Sequence, residues 1–236
     1  MQPLADRIRP SSIDEVVGQK HLLSEGKILR NIIESGKLTN MIFYGPSGTG
    51  KTTVANIIAK ASERKLYKLN ATNASVSDIK DIIDELSGFS GMKGVLLYLD
   101  EIQNFNKKQQ QSLLQFIEDG SITLIASTTE NPYFYVYNAI LSRSNVFEFK
   151  QIEPEDIKIA LKRAAKTLEG AEFTEEALEE ISLRSGGDVR SALNLMELLY
   201  ISVPSGNITA DAVETATFKK SIRYDKSGDS HYDILS

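Results

Sequence analysis

The sequence predicts an α/β domain with a parallel five-stranded sheet, followed by a small all-helical domain. Three observations predict it. Short apolar runs alternate with helical patterns as far as residue 150. From residue 151 to 217 only helical patterns remain. Between the first apolar run and the helix after it lies a glycine-rich loop of the phosphate-binding kind.

Pro3 and Pro10 make the opening segment extended or irregular. Lys20 to Ser35 reads as one helix, with Leu22, Leu23, Ile28, Leu29, Ile32 and Ile33 on a single stripe. Met41 to Tyr44 is too short for a helix and suits a buried strand. A helix over Val54 to Ala61 follows, then a strand over Leu66 to Leu69 and a helix over Val76 to Leu86. Gly94 to Leu99 is the clearest strand, and it stops abruptly at Asp100-Glu101. Lys107 to Ile117 is helical by pattern, while Ile122 to Ala126 and Val146 to Phe149 are strand-like. Such alternation implies βαβ crossovers, hence parallel strands with helices on both faces.

Beyond Gln151 the pattern gives helices over Pro154 to Leu168, Thr174 to Ser185, Asp188 to Tyr200 and Ala210 to Ala216. Thr174 and Thr209 are placed to cap two of them. The expected domains are therefore 1–150, nucleotide-binding, and 151–217, a helical lid. Residues 218–236 are polar and read as the start of a C-terminal region cut short.

Composition narrows the function classes. With 41% hydrophobic residues in 236, the chain buries one sizeable core and a second small one. A net charge of −5 argues against the basic groove of a dedicated nucleic-acid binder, although it leaves room for clustered Lys and Arg on one face. The absence of cysteine excludes disulfides and thiolate metal sites and fits a reducing compartment. No apolar run resembles a signal peptide or reaches the roughly 18–20 residues of a membrane span.

Gly45-Pro46-Ser47-Gly48-Thr49-Gly50-Lys51-Thr52 satisfies G-x-x-x-x-G-K-[ST] without a mismatch, and Thr53 continues into the helix. Chance alone supplies that pattern on the order of one time in a hundred in a chain this long. Its glycines turn backbone N–H groups inward around a β-phosphate. Lys51 then reaches the β- and γ-phosphates, and the Thr52 hydroxyl is a ligand for Mg²⁺. A glycine-rich turn that merely caps a helix is the plainer alternative, but the strand before it and the helix after it are what the phosphate cradle requires.

Asp100-Glu101 ends an apolar strand, the end at which open α/β sheets bind ligands. Asp100 there holds Mg²⁺ through its water shell, and Glu101 is the general base for an attacking water. The Asn-Lys-x-Asp guanine reader is missing, because Asn106-Lys107-Lys108 runs into Gln109. ATP is thus the expected nucleotide, and a GTPase switch is disfavoured. Thr129, Arg143 and Arg190 are individually unremarkable; only their order after the loop draws attention.

That order resembles the clamp-loader group of AAA+ ATPases: P-loop, Asp-Glu, Thr128-Thr129, Ser142-Arg143-Ser144, then Gly187-Asp188-Val189-Arg190. Arg9-Pro10 and Val16-Val17-Gly18-Gln19 match the group's N-terminal signature. Phe105 to Gln111, Ile117 to Thr123 and Thr128 to Pro132 are similar to the replication-associated recombination protein A family, whose eukaryotic relative is the Werner helicase-interacting protein.

The resemblance implies an AAA+ fold with Thr129 as sensor 1 and Arg190 as sensor 2. It implies that Arg143 is an arginine finger serving a neighbouring subunit, and that Ile8, Arg9, Pro10, Val17 and Gly18 line the adenine pocket. It further implies a homo-oligomer (a tetramer in the full-length family), DNA forks and ends and a single-stranded-DNA-binding protein as partners, and a cytoplasmic, nucleoid-associated location. Ser47 replaces a usual proline, and Ser191 stands where many relatives carry a second Arg. A nucleotide-gated DNA scaffold with little turnover is the alternative; Glu101 favours hydrolysis.

Overall fold

The computed structural model describes residues 2–87, 95–203 and 206–217. By packing, the chain divides into two compact units: Pro10–Gln151, and Met1–Arg9 together with the residues from Ile152 onward. In chain order the strands are β1 (Met41–Tyr44), β2 (Leu66–Asn70), β3 (Val95–Asp100), β4 (Ile122–Thr128), β5 (Asn145–Glu148), β6 (Ala171–Phe173) and β7 (Gly206–Ile208). The helices are α1 (Leu4–Arg7), α2 (Lys20–Leu23), α3 (Ile28–Ser35), α4 (Lys51–Ala61), α5 (Val76–Ser87) and α6 (Lys107–Glu118). They continue with α7 (Pro132–Tyr135), α8 (Asn138–Leu141), α9 (Pro154–Ala165), α10 (Glu175–Arg184) and α11 (Val189–Ser202). A last helical run covers 210–217.

In the first unit β1 to β5 form one parallel sheet in the order β2-β3-β4-β1-β5. The register sets Leu99 between Leu69 and Ala126, and Met41 between Ile125 and Asn145. The period of two divides the core into two layers. Met41, Phe43, Leu96, Tyr98 and Ile125 pack with Leu29 and Ile33 of α3 and Val54, Ala55 and Ile58 of α4. Ile42, Leu97, Leu99, Leu124 and Ala126 pack with Ile79 of α5 and Leu113 and Ile117 of α6. Burial on both faces explains why β3 reads as an unbroken apolar run rather than an alternating one. Each fully buried Leu, Ile or Phe contributes about 1.5–3 kcal/mol.

The expected single helix over Lys20 to Ser35 is two, α2 and α3. Ser24 is already extended at ψ 158°, and Gly26 sits at φ +77°, so the axis is broken between them. α6 opens on the capping box formed by Asn106 and Gln109, each side chain bonding the other's backbone N–H. Gly94, expected to open β3, and the expected C-terminal segment 218–236 lie outside the described residues.

The second unit is helical, with α9, α10 and α11 packed on one another. Thr174 caps α10 through the Ala177 N–H (3.2 Å), and Asp188 caps α11 through the Ser191 N–H (2.9 Å). Two expectations change here. The domain is not purely helical, since β6 and β7 form a short parallel ladder with Ile208 buried. The opening residues up to Arg9 belong to this unit and not to the α/β one. Of them only Leu4–Arg7 are regular, as the single turn α1 between irregular flanks; Leu4 is fully buried and donates its N–H to Glu197 of α11 (3.0 Å).

Candidate nucleotide site

The loop from Gly45 to Gly50 leaves the carboxyl end of β1 and enters α4. At Gly45 the chain passes so close to its neighbour that a Cβ would lie 1.9 Å from the carbonyl oxygen of Phe149, and φ is +135°. The Gly45 N–H is held by the Thr128 carbonyl on β4 (3.1 Å). Pro46 and Ser47 are exposed, Gly48 and Gly50 half-buried, and Thr49 fully buried with its hydroxyl donating to the Pro46 carbonyl (2.8 Å).

Lys51 is the first residue of α4, and its side chain turns back inside the loop. It is only 8% exposed, and Nζ donates to the carbonyls of Gly45 (2.6 Å) and Pro46 (2.7 Å). Thr52 and Thr53 follow, half-buried, in the first turn. The N-terminus of this 11-residue helix concentrates positive potential at the same spot.

Across from the loop stand the last residues of β3 and β4. Tyr98 is 2% exposed, and its hydroxyl meets Thr52 Oγ1 at 2.9 Å and, at a longer 3.4 Å, donates to Asp100 Oδ1. Ser127 Oγ donates to the same carboxylate oxygen. Burial, reinforced by the charge of Asp100, pushes the Tyr98 hydroxyl up to about 12, so it stays protonated. Glu101 turns out of the strand with φ +55° and begins the short 3₁₀ turn Ile102–Asn104. The Gln103 amide donates to its carboxylate, while Gln103 Oε1 is buried without a partner.

An ammonium and a helix N-terminus thus face hydroxyl and carboxylate oxygens. That donor set fits a nucleoside triphosphate carrying a hard divalent cation such as Mg²⁺, with Thr52 and Asp100 on the metal side. Among the described residues no cluster of three or more His, Cys, Asp or Glu could hold a metal by itself.

The remaining expected residues are distributed as follows. Thr129 is the first residue beyond β4, closing that strand as expected, and is exposed. Arg143 follows α8 and is exposed, with an ion pair to Glu118 (2.7 Å) and a bond to the Ala139 carbonyl (3.0 Å). Pro10, Val17 and Gly18 are half-buried in the α/β unit, whereas Ile8 and Arg9 belong to the helical one, where Arg9 is ion-paired with Asp6. Arg190 is an exposed residue in the first turn of α11, also in the helical unit.

Sequence reasoning missed four residues that shape the loop side and the strand side: Tyr98, Ser127, Gln103 and Gln19. Gln19 is 5% exposed. Its Nε2 donates to the carbonyls of Thr49 (3.2 Å) and Lys150 (2.7 Å), and its Oε1 accepts from the Lys150 N–H (3.0 Å). It therefore buckles the phosphate loop to the chain beyond β5. The polar residue in Val16-Val17-Gly18-Gln19, adjoining an apolar pair, was the available signal.

The comparisons with known proteins agree with this geometry. Residues 41–152 match the ATPase family associated with various cellular activities (AAA), and residues 166–236 match the AAA C-terminal domain. Replication-associated recombination protein A of Bacillus subtilis is 40% identical over 247 aligned positions, covering 100% of this chain and 58% of the relative. Its Escherichia coli K12 counterpart is 36% identical, with 100% and 55% covered. ATPase WRNIP1 of Dictyostelium discoideum is 33% identical, with 99% and 30% covered. Among solved structures, the Thermotoga maritima RuvB Holliday junction branch migration motor has a TM-score of 0.73 at 26% identity, covering 89% of this chain and 72% of that one.

Fold and loop together make the chain a member of the AAA+ ATPases. Within them it is similar along its whole length to bacterial replication-associated recombination protein A, at 40% and 36% identity in the two relatives cited. It spans little more than half the length of the bacterial relatives of that name, 58% and 55% in the two cited.

Proposed function

We propose that this chain binds ATP in the Gly45–Thr53 loop and hydrolyses it, as the motor portion of a protein acting at stalled or damaged replication forks. The observation that carries the reading is the pairing of Lys51, buried inside its loop, with the Thr52–Tyr98–Asp100–Ser127 chain of polar contacts opposite. Lys51 and the α4 N-terminus bind and orient the phosphates. Mg²⁺, held on the side of Thr52 and Asp100, would supply positive charge to the β- and γ-phosphate oxygens. Glu101 takes the proton of the attacking water, and Gln103 fixes the carboxylate that does so. Thr129, at the carboxyl end of β4, orients groups at the γ-phosphate, and Arg190 contributes from the helical unit. Ile8, Arg9, Pro10, Val17 and Gly18 contact the base.

Arg143 completes the site of a neighbouring subunit. Its ion pair with Glu118 is exposed on both sides, with 43% and 47% of the side chains accessible. Such a pair is worth about 0–1 kcal/mol, little enough for a neighbour's phosphate to draw the guanidinium away. The relatives' names support replication-associated recombination as the setting, and we add DNA repair to it. In the whole protein, we assign DNA forks and ends and a single-stranded-DNA-binding protein as partners, a homotetramer as the assembly, and a nucleoid-associated place in the cytoplasm. No helix among the described residues is long and apolar enough to cross a membrane.

Phosphate release with and without forked DNA tests the reading. Wild type is expected to turn over ATP. Glu101→Gln should bind it normally and hydrolyse it about 10²-fold more slowly or worse, as befits a lost general base. A nucleotide-gated scaffold would instead bind ATP and release almost no phosphate even as wild type, and that result would overturn hydrolysis.

A further inference from the structure

Packing of β3 against α4 uses the ring of Tyr98 and not its hydroxyl: Leu96 and Tyr98 share a face, and both lie in the apolar layer with Val54, Ala55 and Ile58. A buried hydroxyl in such a layer costs free energy unless it is bonded. This one is bonded to Thr52 and Asp100, the two residues assigned to the metal, and has Ser127 beside it as well. We propose that Tyr98 is a positioning residue that orders the proton of Thr52 so that the Thr52 oxygen faces the divalent cation. The proposal rests on the reading of Thr52 and Asp100 given above.

The argument is one of hydrogen-bond direction. Asp100 Oδ1 accepts from Ser127 Oγ and from the Tyr98 hydroxyl. Tyr98 has a single proton, and that contact uses it. The 2.9 Å contact with Thr52 admits either hydroxyl as donor; with the Tyr98 proton given to the carboxylate, we assign the phenol oxygen as acceptor there and the Thr52 hydroxyl as donor. With its proton turned toward β3, Thr52 presents only lone pairs to the phosphate side. A hydroxyl that ligates a cation must do this, since a proton aimed at the metal would repel it. Without the phenol oxygen the Thr52 proton loses its fixed acceptor and rotates. Ser127 and Tyr98 also hold Asp100 from the strand side, leaving its other oxygen, Oδ2, for the water shell of the ion.

The test is ATP affinity by calorimetry in saturating Mg²⁺ and in EDTA, all in a Glu101→Gln background so that the nucleotide stays intact. The quantity compared is the ratio of the two affinities. Tyr98→Phe removes one oxygen and keeps the ring. It should lower the ratio by about 10-fold, the lower end for loss of a group that orients a metal ligand, with the EDTA affinity unchanged. Thr52→Ala should lower the ratio too, and adding Tyr98→Phe to it should lower it no further.

If Thr52→Ala leaves the ratio intact, the metal assignment itself is wrong. If Thr52→Ala lowers it and Tyr98→Phe does not, Tyr98 has no positioning role. An equal loss of affinity with and without Mg²⁺ in Tyr98→Phe would likewise overturn the proposal, because it would mark a disturbance of the loop rather than of the metal side.

Discussion

Substituting Gly45 with alanine attacks the point where the phosphate loop leaves the sheet. Two costs arise there. The backbone is at φ +135°, a region that residues with a Cβ avoid, which costs on the order of 1–3 kcal/mol. The added Cβ would lie 1.9 Å from the Phe149 oxygen and 2.9 Å from its carbonyl carbon, both backbone atoms that no rotamer change can move. Phe149 is pinned in turn, because its N–H donates to Tyr44 (2.7 Å) and its ring is buried against Phe43. Forcing these strands apart adds roughly 1–3 kcal/mol, the range for overpacking. The sum, about 2–6 kcal/mol, is a large part of the roughly 5–15 kcal/mol that stabilises an ordinary protein. Thermal unfolding followed by circular dichroism should show the midpoint falling on the order of 10 °C, with ATP binding lost alongside. A Gly45→Ala protein that melts within 1–2 °C of wild type would refute the claim that the contact with Phe149 is obligatory.

Lys51→Ala removes the ammonium inside the loop and should abolish ATP binding by calorimetry; affinity unchanged within about twofold would end the assignment of the loop. Arg143→Ala should leave ATP binding intact while flattening the rise of specific activity with protein concentration, since a trans arginine contributes about 10³–10⁵ in rate where it operates. Mixing it with Lys51→Ala should restore activity that neither variant has alone, and a mixture that stays inactive excludes a finger given in trans. Gln19→Ala strips three bonds that tie Thr49 and Lys150 together. At about 1 kcal/mol per bond, with buried groups left unpaired, stability should drop by about 2–3 kcal/mol and ATP should bind more weakly; a variant as stable and as tight as wild type would show the buckle to be idle.

What was legible in the sequence is what is local along the chain. The loop, the Asp100-Glu101 pair and all five strands of the sheet stand out because a strand–loop–helix signature or a run of apolar residues is complete within a dozen positions. The same holds for the cap at Thr174, set by the N–H of Ala177 three positions ahead. What escaped depends on distant partners. Gln19 acquires its role from Lys150, 131 positions away, and Ser127 acquires its own from Asp100, 27 away. The helical stripe from Leu22 to Ile33 is real in composition but is divided by Gly26, whose single φ outweighs the period. Leu4 gives no hint that its partner is α11, and β6 and β7, with three residues each, are too short for alternation to register.

The hold of Gln19 on Lys150 has a companion two residues further on, where the His21 ring bonds the carbonyl of Glu148 (2.8 Å). β5 is the outermost strand on its side of the sheet, and an outer strand offers its bare backbone to any extended chain that passes. In this protein the carbonyls of Glu148 and Lys150 and the N–H of Lys150 are already taken by two side chains that come before the sheet begins. The residues ahead of β1 therefore act as a guard rail. They deny a foreign strand its first rungs, and a shortened chain starting at Met41 would offer those rungs to others of its kind and be prone to clump through that side.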